Sequence, residues 1–136
     1  EPMTEQEAMP NVPIPAARGG LLLSRDLIFT SKITGTAREL GSQVTVAGNL
    51  ALAEALIRDA APRVVFVDLA AGEWTTREVL ERLIRLAGAA PFVAFGSHVD
   101  TERLESARLA GCAQVLPRSK FTAQLPELVR QYLLAE

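Results

Sequence analysis

From Gly20 onward the chain alternates short apolar runs with amphipathic stretches, and no other feature restricts the fold as much. The runs are GLLLS, SQVTVAG, RVVFVDLA, PFVAFGS and CAQVLP. The third and fourth are apolar almost throughout, as strands buried on both faces are. Buried strands joined by helices predict a parallel sheet covered on both sides. Right-handed crossovers then make the simplest topology a three-layer, doubly wound α/β sandwich with five strands in the order 2-1-3-4-5, the flavodoxin-like order.

The stretches between the runs read as helices. Leu27 to Leu40 places Phe29, Ile33, Ala37 and Leu40 on one face, and Gly41 ends it. Asn49 caps a second helix carrying Leu52, Leu56 and Ile57, which stops before Pro62. Thr75 and Glu78 stand at capping-box spacing ahead of Val79, Leu80, Leu83, Ile84 and Leu86. Asp100 caps a fourth helix closed by Gly111. A fifth is expected from Thr122 to Leu134, burying Leu125, Leu128, Val129, Tyr132 and Leu133, with Pro126 tolerated in or near its first turn.

Residues 1–19 hold four of the eight prolines and show no periodicity, so they read as a flexible tail before one domain at 20–136. A net charge of -2 gives no reason to expect direct nucleic-acid binding. No run approaches the roughly 20 apolar residues of a membrane span, and the N-terminus lacks a signal-peptide layout, so the expected location is cytoplasmic. Cys112 and His98 are each single, which argues against a disulfide framework or a zinc site. Phosphate-binding glycine loops and a G-x-S-x-G elbow are missing too, and an enzyme is not expected.

In this topology the chemistry belongs at the carboxyl ends of the strands. There the first strand brings Ser24, Arg25 and Asp26, the third Asp68, the fourth Gly96, Ser97 and His98, and the fifth Pro117, Arg118, Ser119 and Lys120. Asp68 is the conspicuous residue, a carboxylate closing an otherwise apolar strand, where an unpaired charge is costly. It is expected to point into a small polar crevice, either as a capping or ion-paired group or as a reactive carboxylate. His98 is expected to be solvated and Cys112 to be a small buried apolar residue. Trp74, in the loop after Asp68, either anchors a partner or packs over that loop. Arg103, Arg108, Arg118, Lys120 and Arg130, mixed with acidic residues, read as a solvated face.

LLLSRD, VVFVDLA, FVAFGS and GCAQVLPRSKF together resemble the receiver domains of bacterial response regulators, from Leu21 to the C-terminus. The resemblance implies that Asp68 stands at the phosphoacceptor position. It implies a Mg²⁺-binding acidic pair after the first strand, a Ser/Thr after the fourth and a lysine after the fifth. Here the acidic pair falls on Ser24 and Arg25, with Asp26 just beyond. The Ser/Thr falls on Gly96, with Ser97 one residue late. The lysine falls on Arg118, with Lys120 two residues on, and the proline expected after that lysine is Ser119.

Mg²⁺ needs near-octahedral oxygen ligands, and phosphoryl transfer relies on it to neutralise charge. Asp26 and Asp68 alone would hold it weakly, whereas Arg25 or Arg118 could supply a permanent cation in its place. The leading expectation is an atypical receiver that signals through protein contacts without phosphorylation and without a cofactor. The alternatives are a true receiver phosphorylated on Asp68 by a histidine kinase with Mg²⁺, and a small-ligand or anion-binding module at Arg25, Arg118 and Ser97. By the same resemblance, the surface for a protein partner or homodimer is the fourth helix, fifth strand and fifth helix.

Overall fold

The computed structural model describes residues 18–134, so the expected tail lies outside the described residues except for Arg18 and Gly19. In chain order the elements are β1 (Gly20–Leu23), α1 (Leu27–Glu39), β2 (Val44–Ala47), α2 (Leu50–Ala60), β3 (Val65–Asp68), α3 (Arg77–Ala87), β4 (Phe92–Gly96), α4 (Thr101–Ala110), β5 (Gln114–Pro117) and α5 (Arg118–Val129). A π-helical turn, Arg130–Leu134, follows α5. All strand pairs are parallel and the order is β2-β1-β3-β4-β5, as the alternation predicts.

Side chains alternate across each strand, so every strand feeds two cores. Leu21, Leu23, Val65, Val67, Phe92 and Ala94 pack on α2, α3 and α4. Leu22, Phe66, Val93, Phe95 and Leu116 pack on α1 and α5. This parity positions the site: Ser24 and Asp68 continue the rows of Leu22 and Phe66, so both side chains head towards the α1 and α5 side.

Helix starts follow local chemistry. Asn49 and Asp100 cap α2 and α4 through side-chain oxygens that accept the N–H of Leu52 and Arg103. Gly111, at φ 109°, closes α4 as expected. Three expectations are corrected. Thr76, not Thr75, caps α3, its hydroxyl accepting from Val79 N; burial of Trp74 fixes the incoming loop and leaves Thr75 as a connector. Leu52 and Leu86 are exposed, because the inward rows run through Ala53 and Ile57 in α2 and Leu80 and Leu83 in α3.

The third correction concerns α5, which begins at Arg118 directly after Pro117 and without a side-chain cap. Pro126 therefore lies more than two turns inside the helix rather than near its start. Its ring nitrogen cannot donate to the carbonyl of Thr122. Tyr132 is only half-buried, and its hydroxyl accepts from Gln114 Nε2 at 2.7 Å.

Candidate functional site

Asp68 does not open into a crevice. It is 2 % exposed, as is Ser24 beside it. Ser24 Oγ donates to Asp68 Oδ2 at 2.9 Å, while Ala70 N at 3.0 Å and Arg118 Nη2 at 2.9 Å donate to Oδ1. The carboxylate is thus enclosed with both oxygens engaged, the condition under which a buried charge is tolerated.

Arg118 reaches Asp68 because α5 starts immediately after β5, putting its first side chain at the carboxyl end of the sheet. The guanidinium carbon lies 4.5 Å from the centre of the Phe29 ring and 5.7 Å from that of Phe95. Those rings also pack together, Phe29 on Phe95 and Phe95 stacked on Phe121. Aromatic faces attract a planar cation, so the stack orients the guanidinium towards the carboxylate. Its Nη1 lies 4.0 Å from Asp26 Oδ2, placing Arg118 between the two carboxylates of the site.

The loop after Asp68 is fastened at several points. Trp74 is fully buried and its indole N–H donates to Asp68 O at 2.9 Å. Gly72, at φ 114°, lets the loop cross the indole, since a Cβ there would come within 2.5 Å of the ring. Arg103 Nη1 donates to Leu69 O at 2.8 Å and Ala70 O at 2.9 Å, and Asp100 lies 3.5 Å from its Nε. Glu73 Oε1 accepts from Leu50 N, joining the loop to the start of α2.

The expected site residues separate into two groups. Ser24, Asp26, Asp68 and Arg118 come together. Asp26 also caps α1, its Oδ1 accepting from Phe29 N at 3.0 Å. Arg25 is exposed and joins neither carboxylate among the described residues. Position 96 packs against apolar neighbours, since a Cβ there would meet Leu69 Cβ at 3.2 Å and Leu104 at 3.6 Å. Ser97 is exposed and its Oγ accepts from Val99 N at 3.4 Å, so its hydroxyl serves its own loop. His98 and Lys120 are exposed.

Cys112 is half-buried, and burial pushes its thiol up to about 12, leaving it protonated at neutral pH. The sequence reading missed the roles of Arg103 and Phe29. Arg103 looked like part of a solvated face, and the available cue was its place three residues after the capping Asp100. Phe29 looked like ordinary core, and nothing local marks it as a platform for a cation.

The donor set does not fit Mg²⁺, which asks for about six oxygens. Both oxygens of Asp68, Oδ1 of Asp26 and the carbonyls of Leu69 and Ala70 already accept hydrogen bonds. A guanidinium stands between the carboxylates. Among the described residues no group of three or more His, Cys, Asp or Glu side chains could hold a metal.

No protein-family profile matches the chain, and no curated protein matches it in sequence. Solved structures do match. The receiver domain of NtrX from Brucella abortus is 21 % identical, with a TM-score of 0.72 over 86 % of this chain and 99 % of that one. A CheY-like receiver domain protein from Methanospirillum hungatei is 16 % identical, with a TM-score of 0.73 over 85 % of this chain and 93 % of that one. The receiver domain of a sensor histidine kinase from Pseudomonas aeruginosa, with magnesium coordinated in its active-site cleft, is 17 % identical, with a TM-score of 0.71 over 88 % and 99 %. The chain therefore has the receiver-domain fold.

Proposed function

We propose that this chain is a signal-transduction module of the receiver type that acts through protein contacts, with Arg118 as a fixed cation in place of Mg²⁺ and without phosphorylation of Asp68. The carrying observation is the 2.9 Å contact between Arg118 Nη2 and the enclosed Asp68 Oδ1. A carboxylate that attacks a phosphoryl donor needs an accessible oxygen and a cation that also reaches the incoming phosphoryl oxygens. Asp68 is 2 % exposed, and each of its oxygens already accepts a hydrogen bond. Arg118 spends its charge on Asp68 and Asp26, and a covalently tethered cation cannot come and go with a signal.

On this reading the protein is not itself an enzyme and needs no cofactor. A cytoplasmic location is part of the proposal; no helix of the described residues is long and apolar enough to cross a membrane. The face of α4, β5 and α5 is a proposed partner or homodimer surface. It carries exposed Leu109 and a shallow groove of about 640 Å³ lined in part by His98, Leu104, Arg108 and Pro117. A second reading, a small-ligand or anion site, draws on a groove of about 530 Å³ lined by Ser97, His98, Pro117, Arg118, Ser119 and Thr122. Arg25 is not among the residues lining that groove.

Titration with Mg²⁺, followed by the amide resonances of Leu69 and Ala70, tests the proposal. The expected result is no saturable shift at millimolar Mg²⁺. A saturable shift lost in Asp68→Asn would overturn it.

A further inference from the structure

The end of the molecule opposite Asp68 carries a groove of about 490 Å³. It lies where the chain enters β1, β3 and β4, walled by the loops at 61–63 and 89–91 and by Gln131 and Tyr132 of the final turn. Alanine and proline make up most of those walls, so an extended backbone can approach closely. Tyr132 contributes an aromatic ring to the groove, held by the 2.7 Å hydrogen bond that Gln114 Nε2 donates to its hydroxyl. No Asp or Glu lines the groove, whereas Arg18 and Arg63 do. Arg63 also braces it, Nη1 donating to Leu133 O at 2.9 Å.

Arg18 is both a wall of the groove and the first described residue. Gly19 O accepts from Arg63 N at 2.9 Å, which fastens the chain beside the start of β3. Residues 1–17 are therefore tethered at the groove itself. Val12, Pro13, Ile14 and Pro15 precede Arg18 by three to six residues, so none can lie further from it than about 20 Å. Each proline fixes its own φ and pushes the residue before it towards extended backbone, so this sequence favours one shape before it meets a surface. Alternation in an extended chain groups Val12 with Ile14 on one side. The same 17 residues hold Glu1, Glu5 and Glu7 and no Lys or Arg.

We infer that residues 12–15 dock in this groove of their own chain, with Val12 and Ile14 against Ala90 and Tyr132 and the upstream acids drawn to Arg18 and Arg63. The point of attachment and the charge complementarity select this occupant. The short tether also holds the segment at an effective concentration on the order of millimolar, which a second copy would have to exceed. Proline-rich segments suit a groove that offers an aromatic ring, because their backbone loses little freedom on binding. Docked, residues 12–15 form a strap between the last turn of the chain and the loop before β4. The inference is independent of the reading of Asp68 and of the α4, β5 and α5 face.

The test is nuclear magnetic resonance on the full chain, with isotope-labelled and unlabelled copies mixed in a second sample. The expected result is nuclear Overhauser cross-peaks from the Val12 and Ile14 methyl groups to the Tyr132 ring and the Ala90 methyl, all within one copy. Val12→Asp/Ile14→Asp should lose them and shift the amide resonances of Ala89 and Ala90, while those of Leu22 and Phe66 stay in place and report an intact fold. Glu5→Lys/Glu7→Lys should weaken the same cross-peaks.

Absence of cross-peaks from residues 12–15 to the groove, with Ala89 and Ala90 resonances equal in the parent and Val12→Asp/Ile14→Asp, would overturn the inference. Cross-peaks found only between labelled and unlabelled copies would overturn the assigned occupant in favour of a second copy's segment. Cross-peaks of equal strength in Glu5→Lys/Glu7→Lys would overturn the role given to charge.

Discussion

Asp68 and Arg118 hold each other in place, and the energetic consequences of separating them are unequal. Truncating Arg118 leaves a carboxylate with two neutral donors, Ser24 Oγ and Ala70 N, and no cation. Removing one partner of a buried pair costs about 3–5 kcal/mol, and the partial exposure of Arg118 lowers that figure. Arg118→Ala is therefore expected to destabilise the fold by about 1–3 kcal/mol in urea unfolding. Arg118→Lys should recover only part of the loss, because an ammonium cannot lie flat on Phe29 while reaching Asp68. Equal stability of Arg118→Ala and the parent would show that the contact contributes little. The sequence announced the possibility of this pair, since a charge at the end of an apolar strand demands a partner. It did not choose between Arg25 and Arg118. That choice depends on α5 starting at position 118 and on an aromatic stack assembled from three separate elements.

At the scale of elements, α5 carries an avoidable defect. Pro126 sits in its interior, exposed, where it removes a backbone donor and crowds the Thr122 carbonyl. Thr122 Oγ1 meanwhile donates to Arg118 O at 3.0 Å, a back-bond that neither requires nor repairs the missing one. Pro126→Ala is expected to raise stability by about 1–2 kcal/mol, read as a melting temperature several degrees higher; a lower melting temperature would show that the proline is accommodated without strain. The other helices were legible because their capping oxygens and closing glycines are local signals, as at Asn49, Asp100 and Gly111. The start of α5 was not, because Pro117 offers no capping oxygen and the following Arg-Ser-Lys reads as loop. The strands were legible from apolar continuity alone. The sequence placed Asp68 at the carboxyl end of its strand and expected a crevice there; it did not show how completely the carboxylate is covered. The carboxylate's own partners are Ser24, Ala70 and Arg118, while Trp74 and Arg103 hold the backbone of the loop that follows it.

For the molecule as a whole, the receiver-domain fold and the chemistry of its carboxylate point in different directions. The doubly wound sheet delivers an aspartate to the topological switch point, where such folds conduct their chemistry. The elements around it then close that position, with α5 supplying a cation, α4 fastening the loop and β1 supplying a hydroxyl. On the reading proposed above, a module built this way presents its surfaces in one arrangement, with no chemical event at Asp68 to change them. The direct test is incubation of the full chain with acetyl phosphate and Mg²⁺, followed by intact mass measurement beside Asp68→Asn. The account predicts no added phosphoryl group in the parent protein. A gain of one phosphoryl group that disappears in Asp68→Asn would contradict it.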